Sequence, residues 1–317
     1  MAKRKSGTTV GRSPARSQSR RAPVTSKGNR AERRRASRAG KGSGGRRWLP
    51  WVSVAVVVAA AATIVIAGLT HGTKPASKSA TAPEKVARAV QGVPGSTFDK
   101  VGVPPNLAPP IRLAGRHPPL VSGDLPQMLY VGAEYCPYCA AERWAMAVAL
   151  SRFGSFKGLG VTESSTSDVY PGTKTLTFFG STFTSPYLAF TPVETTTNQR
   201  QNGAYAPLQT PTADQQRIMN QFDAPPYTTQ AGGIPFIDFG NRIVVTGPGF
   251  SPQVLHGLSW EQIAGRLSDP TSQVAQSVDG SANLITAAIC EMTNGQPSSV
   301  CDTSGVKAAR TRITTAG

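Results

Sequence analysis

Gln127-Met128-Leu129-Tyr130-Val131-Gly132-Ala133-Glu134-Tyr135-Cys136-Pro137-Tyr138-Cys139 is the stretch on which the fold of this chain turns. Its first seven residues form an apolar run bounded by turn signals, the pattern of a buried strand. Beyond it, Ala140, Ala141, Trp144, Val148 and Ser151 recur at spacings of three and four, which predicts a helix that Gly154 stops. Pro137 suits the first turn of that helix, where a missing N–H costs nothing, and Cys136 falls on the N-cap. Strand, Cys-x-x-Cys, helix is the expected order.

That placement has chemical content. The thiolate is the reactive form of cysteine, and the unpaired N–H groups and positive dipole end of a helix N-terminus favour an anion. Cys136 is the candidate nucleophile and Cys139, one turn in, the resolving thiol. A carboxylate from Glu134 close to Cys136 would oppose the helix terminus by raising the thiol pKa. Two metal readings compete. Half a zinc site would have to recruit Cys290 and Cys301, whose ten-residue gap is unlike a zinc knuckle. A copper site would take both cysteines and a distant histidine. The strand-to-helix context favours redox chemistry with no metal and no cofactor. His71, His117 and His256 read as surface residues, and no Ser-His-Asp set, phosphate-cradling glycine loop or paired carboxylates stand out.

The run Tyr135-Cys136-Pro137-Tyr138-Cys139 after a hydrophobic strand resembles the active-site motif of the thioredoxin superfamily, with the Pro-Tyr dipeptide common in glutaredoxins. Gly233-Ile234-Pro235-Phe236-Ile237 resembles the superfamily's cis-proline loop. The resemblance implies a cis Pro235 whose backbone packs beside the disulfide and holds an extended substrate chain. Pro235, Ile234, Pro137 and Tyr138 are the residues expected to face that substrate. One departure matters: 95 residues separate Cys139 from Pro235, far more than in thioredoxin itself. The Thr/Gln/Pro-rich segment 185–231 is therefore read as an insertion, and substrate specificity is not carried over. The chain is also similar, over roughly residues 85–302, to domain of unknown function 929, a family of thioredoxin-like membrane proteins without an established activity.

Further elements follow from the pattern. Leu159–Thr162 and Thr175–Phe179 read as strands, and Thr212–Phe222 as a helix capped by Thr212. Residues 232–246 read as a hairpin turning at Gly240-Asn241. Ser259–Leu267 carries capping-box spacing at Ser259 and Gln262, and Leu284–Met292 reads as a further helix. Cys290 and Cys301 enclose a short loop. In an oxidising compartment the default is a structural disulfide, with a second redox pair as the sharper alternative.

Charge divides the chain. Residues 1–47 hold sixteen Lys/Arg and one acid, whereas residues 48–317 hold eighteen basic and sixteen acidic side chains. A body of net charge +2 has no overall basic character with which to bind nucleic acid. Between Arg47 and Lys74 lie 26 residues without charge, and Trp48–Leu69 is long enough for a transmembrane helix. A cleaved signal peptide is the alternative, disfavoured by the long basic region ahead of it. Residues 28–47 carry eight Lys/Arg against four in 70–89, so the tail is expected in the cytoplasm and the body outside.

The expected organisation is a disordered basic tail (1–47), a transmembrane helix (48–70) and a proline-rich extracytoplasmic linker (71–124). An α/β domain of thioredoxin-like fold (125–302), with the insertion between the Cys-x-x-Cys helix and the Pro235 strand, and a disordered C-terminal tail (303–317) complete it. The expected function is a cell-membrane-tethered thiol–disulfide oxidoreductase acting on protein thiols or disulfides, with a membrane redox partner left open. The alternative is a non-catalytic thioredoxin-fold scaffold, or a metallochaperone, whose cysteine pair is structural.

Overall fold

The structure, a computed structural model, describes residues 79–315. The basic tail and the transmembrane helix expected from the sequence lie outside them. Among the described residues, no helix is long and apolar enough to cross a membrane.

The folded body begins far earlier than Leu125. A short strand β1 (Ala80–Thr81) is followed by helices α1 (Glu84–Gln91) and α2 (Gly95–Val101), then by β2 (Ile111–Arg112) and β3 (Val121–Ser122). Over residues 79–124 the expected linker is thus corrected. Its prolines punctuate rather than extend the chain: Pro83 and Pro94 each stand at a helix N-cap. Val86 and Val90, four apart, put one apolar face of α1 into the core, and Phe98 and Leu107 are buried with them.

The central unit follows. Strand β4 (Leu125–Gly132) leads into helix α3 (Pro137–Leu150). Short strands β5 (Ser155–Lys157), β6 (Gly160–Glu163), β7 (Lys174–Thr177) and β8 (Thr182–Thr184) come next. Then come β9 (Ala189–Glu194), the hairpin β10 (Thr196–Gln201) and β11 (Ala204–Pro207), and α4 (Ala213–Phe222) with a complete Thr212 capping box. Strands β12 (Phe236–Phe239) and β13 (Ile243–Thr246) form the hairpin, turning through Gly240 and Asn241, both at positive φ. Helix α5 (Trp260–Arg266) carries the Ser259 capping box, and α6 runs from Gln273 to Met292, eleven residues longer at its start than the expected Leu284–Met292.

The segment 185–231 is more than an insertion. Its β9 pairs in parallel with β4, residue for residue from Gln127↔Ala189 to Gly132↔Glu194. On the other side of β4 lies β12, antiparallel, followed by β13 and β2. Pro192 within β9 reads against a strand, yet β9 pairs with β4 alone, and an edge strand tolerates a missing N–H. The expected disordered tail 303–317 is also corrected. Helices α7 (Ser298–Cys301) and α8 (Ser304–Arg310) pack on α6, and β14 (Thr314–Thr315) adds to β2 in parallel.

The strands alternate their side chains between two cores. Met128, Tyr130, Ile237, Phe239, Ile243 and Val245 face the larger one, shared with α3 and α6. Leu129, Val131, Phe236 and Val244 face the smaller one, closed by Met219 and Phe222 of α4. Burial on both faces explains why Met128–Gly132 reads as a continuous apolar run.

Candidate functional site

Both Cys136 and Cys139 stand where β4 ends and α3 begins. Cys136 is the N-cap of α3, its sulfur accepting the Cys139 N–H at 3.4 Å, and Pro137 opens the first turn. The two thiols are free, Cys136 5 % exposed and Cys139 fully buried. Across from them the Ile234–Pro235 peptide is cis, and the Ile234 carbonyl lies 3.9 Å from the Cys136 sulfur. Of the residues expected to face a substrate, Pro137 and Pro235 are buried, Ile234 is half-buried and Tyr138 is exposed.

The two thiols are electrostatically unequal. The Cys139 thiol hydrogen-bonded to it holds the Cys136 thiol below its usual range, helped by the Cys139 and Tyr138 backbone N–H groups and the Arg143 guanidinium, against the opposing effect of burial. Burial pushes the Cys139 thiol well above its usual range, and its hydrogen bond to Cys136 adds to that. The shifts run in opposite directions, so the Cys136 sulfur is the easier of the two to deprotonate.

Beneath the cysteines lies a charged pair that the motif does not announce. Arg143 is four residues on from Cys139, hence one turn deeper on the same face of α3. It is fully buried against the fully buried Glu194 at the end of β9, through Nε–Oε1 at 2.8 Å and Nη2–Oε2 at 2.9 Å. Its Nη2 also donates to the Ala133 carbonyl at 2.5 Å, bracing the turn into Cys136. Glu134, the other acid beside the motif, accepts the Thr177 hydroxyl at 2.9 Å. Glu142, next to Arg143, is buried against the Gly249 N–H at 2.7 Å, and burial raises its carboxyl to about 7. Two adjacent charges, Glu142-Arg143, in a helix otherwise apolar on every side were the sequence signal for this network.

Aromatic rings border the exposed side. Tyr135 stacks on Tyr205 of β11 with centroids 4.1 Å apart and planes 6° apart, and Arg200 of β10 lies 4.6 Å above the Tyr205 ring. Tyr138 meets Tyr170 edge-on at 6.3 Å. The Ser165 N–H donates to the Tyr135 carbonyl at 2.8 Å, tying the loop after β6 to the motif. Tyr205, Arg200 and Tyr170 carry no sequence signal of their own, because the distant β10–β11 hairpin and the loop between β6 and β7 deliver them.

Cys290 and Cys301 lie elsewhere, bonded to each other at the C-terminal end of α6 with Cα atoms 5.6 Å apart. His117 lies beside the sheet edge, its ring edge-on to Phe222. Among the described residues no group of three or more His, Cys, Asp and Glu is arranged to hold a metal ion.

No curated protein matches the chain, and neither does any solved structure. A family model matches it over residues 117–291, more than half its length, and the chain belongs to that family, the domain of unknown function DUF929.

Proposed function

We propose that this chain is a thiol–disulfide oxidoreductase of thioredoxin-like architecture, held at the outer face of the membrane by its N-terminal apolar segment. The order β4–α3–β9–α4–β12–β13–α6, with β9 parallel and β12 antiparallel to β4, supports the architecture. The uncharged run between Arg47 and Lys74 and the basic charge ahead of it support the tether. The observation that carries the reading is the inequality of two free thiols at one helix N-terminus.

As a reductant, the Cys136 thiolate attacks one sulfur of a substrate disulfide, forming a mixed disulfide and expelling the first substrate thiolate, which takes up a proton. Cys139 loses its proton as its sulfur attacks Cys136, closing the Cys136–Cys139 bond and expelling the second substrate thiolate. Two protein thiols are oxidised and one substrate disulfide is reduced. The reverse sequence oxidises a substrate dithiol, and the reduction potential decides which direction runs.

The full chain in detergent, equilibrated against glutathione redox buffers, tests this. A reversible transition between about −120 and −270 mV, lost in Cys136→Ser and in Cys139→Ser, is the expected result. Absence of any transition above about −300 mV means a structural pair and a scaffold protein. Cys139→Ser should also accumulate a mixed disulfide on Cys136 with a small disulfide substrate, because nothing remains to resolve it.

A further inference from the structure

A second site lies at the other end of the sheet. Register fixes its position: Phe236 pairs with Val131 beside the cysteines, and Phe239 with Met128, so the Gly240–Arg242 turn sits at the far end of β4. There Arg112, Arg116, Arg242, His117, Asn241 and Glu291 line a hollow of about 350 Å³. Three guanidinium groups face one carboxylate, so this lining alone carries a formal +2 with His117 neutral. Residues 79–315 hold sixteen basic and sixteen acidic side chains, so this local +2 stands against a net −2 over the rest of the described residues.

Donor accounting separates the three arginines. Arg112 is tied to both oxygens of Glu291, with Nη2–Oε1 at 2.8 Å. Arg242 spends Nη1 on the Glu291 carbonyl at 2.8 Å and on Asn294 at 3.2 Å, which leaves its Nε and Nη2 unspent. Arg116 is exposed and makes no hydrogen bond or ion pair among the described residues, so its whole fork is open. His117 donates Nε2–H to the Ala114 carbonyl at 2.9 Å, which holds its ring beside Arg116. A single carboxylate already occupies one fork. The open donors, coming from two chain segments, suit an anion whose charge is spread over at least two free oxygens, as in a phosphate or a phosphate ester.

We propose that this hollow binds a phosphate group, free or carried as the headgroup of an anionic lipid, with Arg116 and Arg242 as its direct ligands and Arg112 held in place by Glu291. The site is separate from the cysteines and stands or falls independently of any redox activity. The hollow is roomier than one phosphate group needs, which leaves space for the ester that a headgroup would carry.

The test reads individual arginines, so the sixteen Lys/Arg of residues 1–47 do not blur it. The full chain in detergent is treated with phenylglyoxal and the modification of each arginine followed by mass spectrometry. Inorganic phosphate is present in one arm, phosphatidylglycerol in a second and phosphatidylcholine in a third. Slowing of modification at Arg116 and Arg242 by tenfold or more, with Arg217 on the surface of α4 unaffected, is the expected result. Protection by inorganic phosphate identifies a free phosphate site, and protection by phosphatidylglycerol alone identifies a headgroup site. Arg242→Ala should abolish the protection of Arg116. No protection in either anionic arm, equal protection of Arg217, or protection of Arg116 that survives Arg242→Ala each overturns the proposal.

Discussion

Replacing Glu194 by Gln, and separately Arg143 by Met, tests how the buried pair couples the stability of the body to its thiols. Both side chains are fully buried and doubly hydrogen-bonded to each other. Removing one partner of such a pair strands an uncompensated charge and costs about 3–5 kcal/mol. For a body of this size each kcal/mol moves the melting temperature by about 2–4 °C, so either variant should melt roughly 6–20 °C below the parent. The effects on Cys136 have opposite signs. Glu194→Gln leaves the guanidinium unbalanced and should lower the Cys136 pKa further. Arg143→Met removes one of the groups that now hold that thiol down, and should raise it. Circular dichroism melts give the stability, and the thiolate absorbance of the reduced protein across pH gives the pKa. The pair Arg143→Met/Glu194→Met should cost less than either single change, since no lone charge remains. Equal shifts of the thiol in both variants, or melts within 2 °C of the parent, would refute the coupling.

Three further outcomes follow from the structure. Replacing both Cys290 and Cys301 by Ser opens a loop with a sequence separation of 11 residues, and the chain-entropy relation predicts a loss of roughly 3 kcal/mol, read by urea denaturation. Burial raises the Asp238 carboxyl to about 7, so between about pH 4 and 7 the folded protein keeps a proton that the unfolded chain releases. Its contribution to stability is therefore present in acid and lost as pH rises. Asp238→Asn, which keeps an acceptor for the Asn241 N–H, should remove that loss and gain about 4 kcal/mol at pH 8 while changing little at pH 4. A methyl group at Gly154 would stand 2.2 Å from the Thr184 carbonyl oxygen, so Gly154→Ala should cost about 1–3 kcal/mol, whereas Gly95→Ala, with open space around it, should cost nothing measurable in the same melts.

What the sequence disclosed followed the strength of its local signals. The strand into Cys136, the helix after it, the Gly240-Asn241 hairpin and the caps at Thr212 and Ser259 all rest on short-range rules, and the structure reproduces them. Proline density misleads over residues 79–124, because Pro83 and Pro94 start helices instead of stiffening a spacer. In Ala189–Glu194 the Thr and Pro residues hid a strand that only its parallel partner explains. Gly154 was read as a helix stop, but α3 ends at Leu150, and the structure gives Gly154 the tighter task of passing a carbonyl of β8. The site followed the same division. Cys136 and Cys139 are legible because one motif carries them. Arg143 and Glu194 meet across 51 residues, and Tyr135 and Tyr205 across 70, separations that only the assembled sheet brings together.

The flanking elements also govern how this protein has to be produced in the laboratory. A fragment trimmed to the family match at 117–291 would lose β2, leaving β13 as a bare sheet edge open to other chains. It would lose α1 and α2, uncovering the apolar surface of α6 against which Phe98 is buried. It would also sever Cys290 from Cys301, creating a stray thiol able to exchange with Cys136 and to corrupt any redox titration. Material fit for thiol chemistry therefore has to keep every element from β1 to β14.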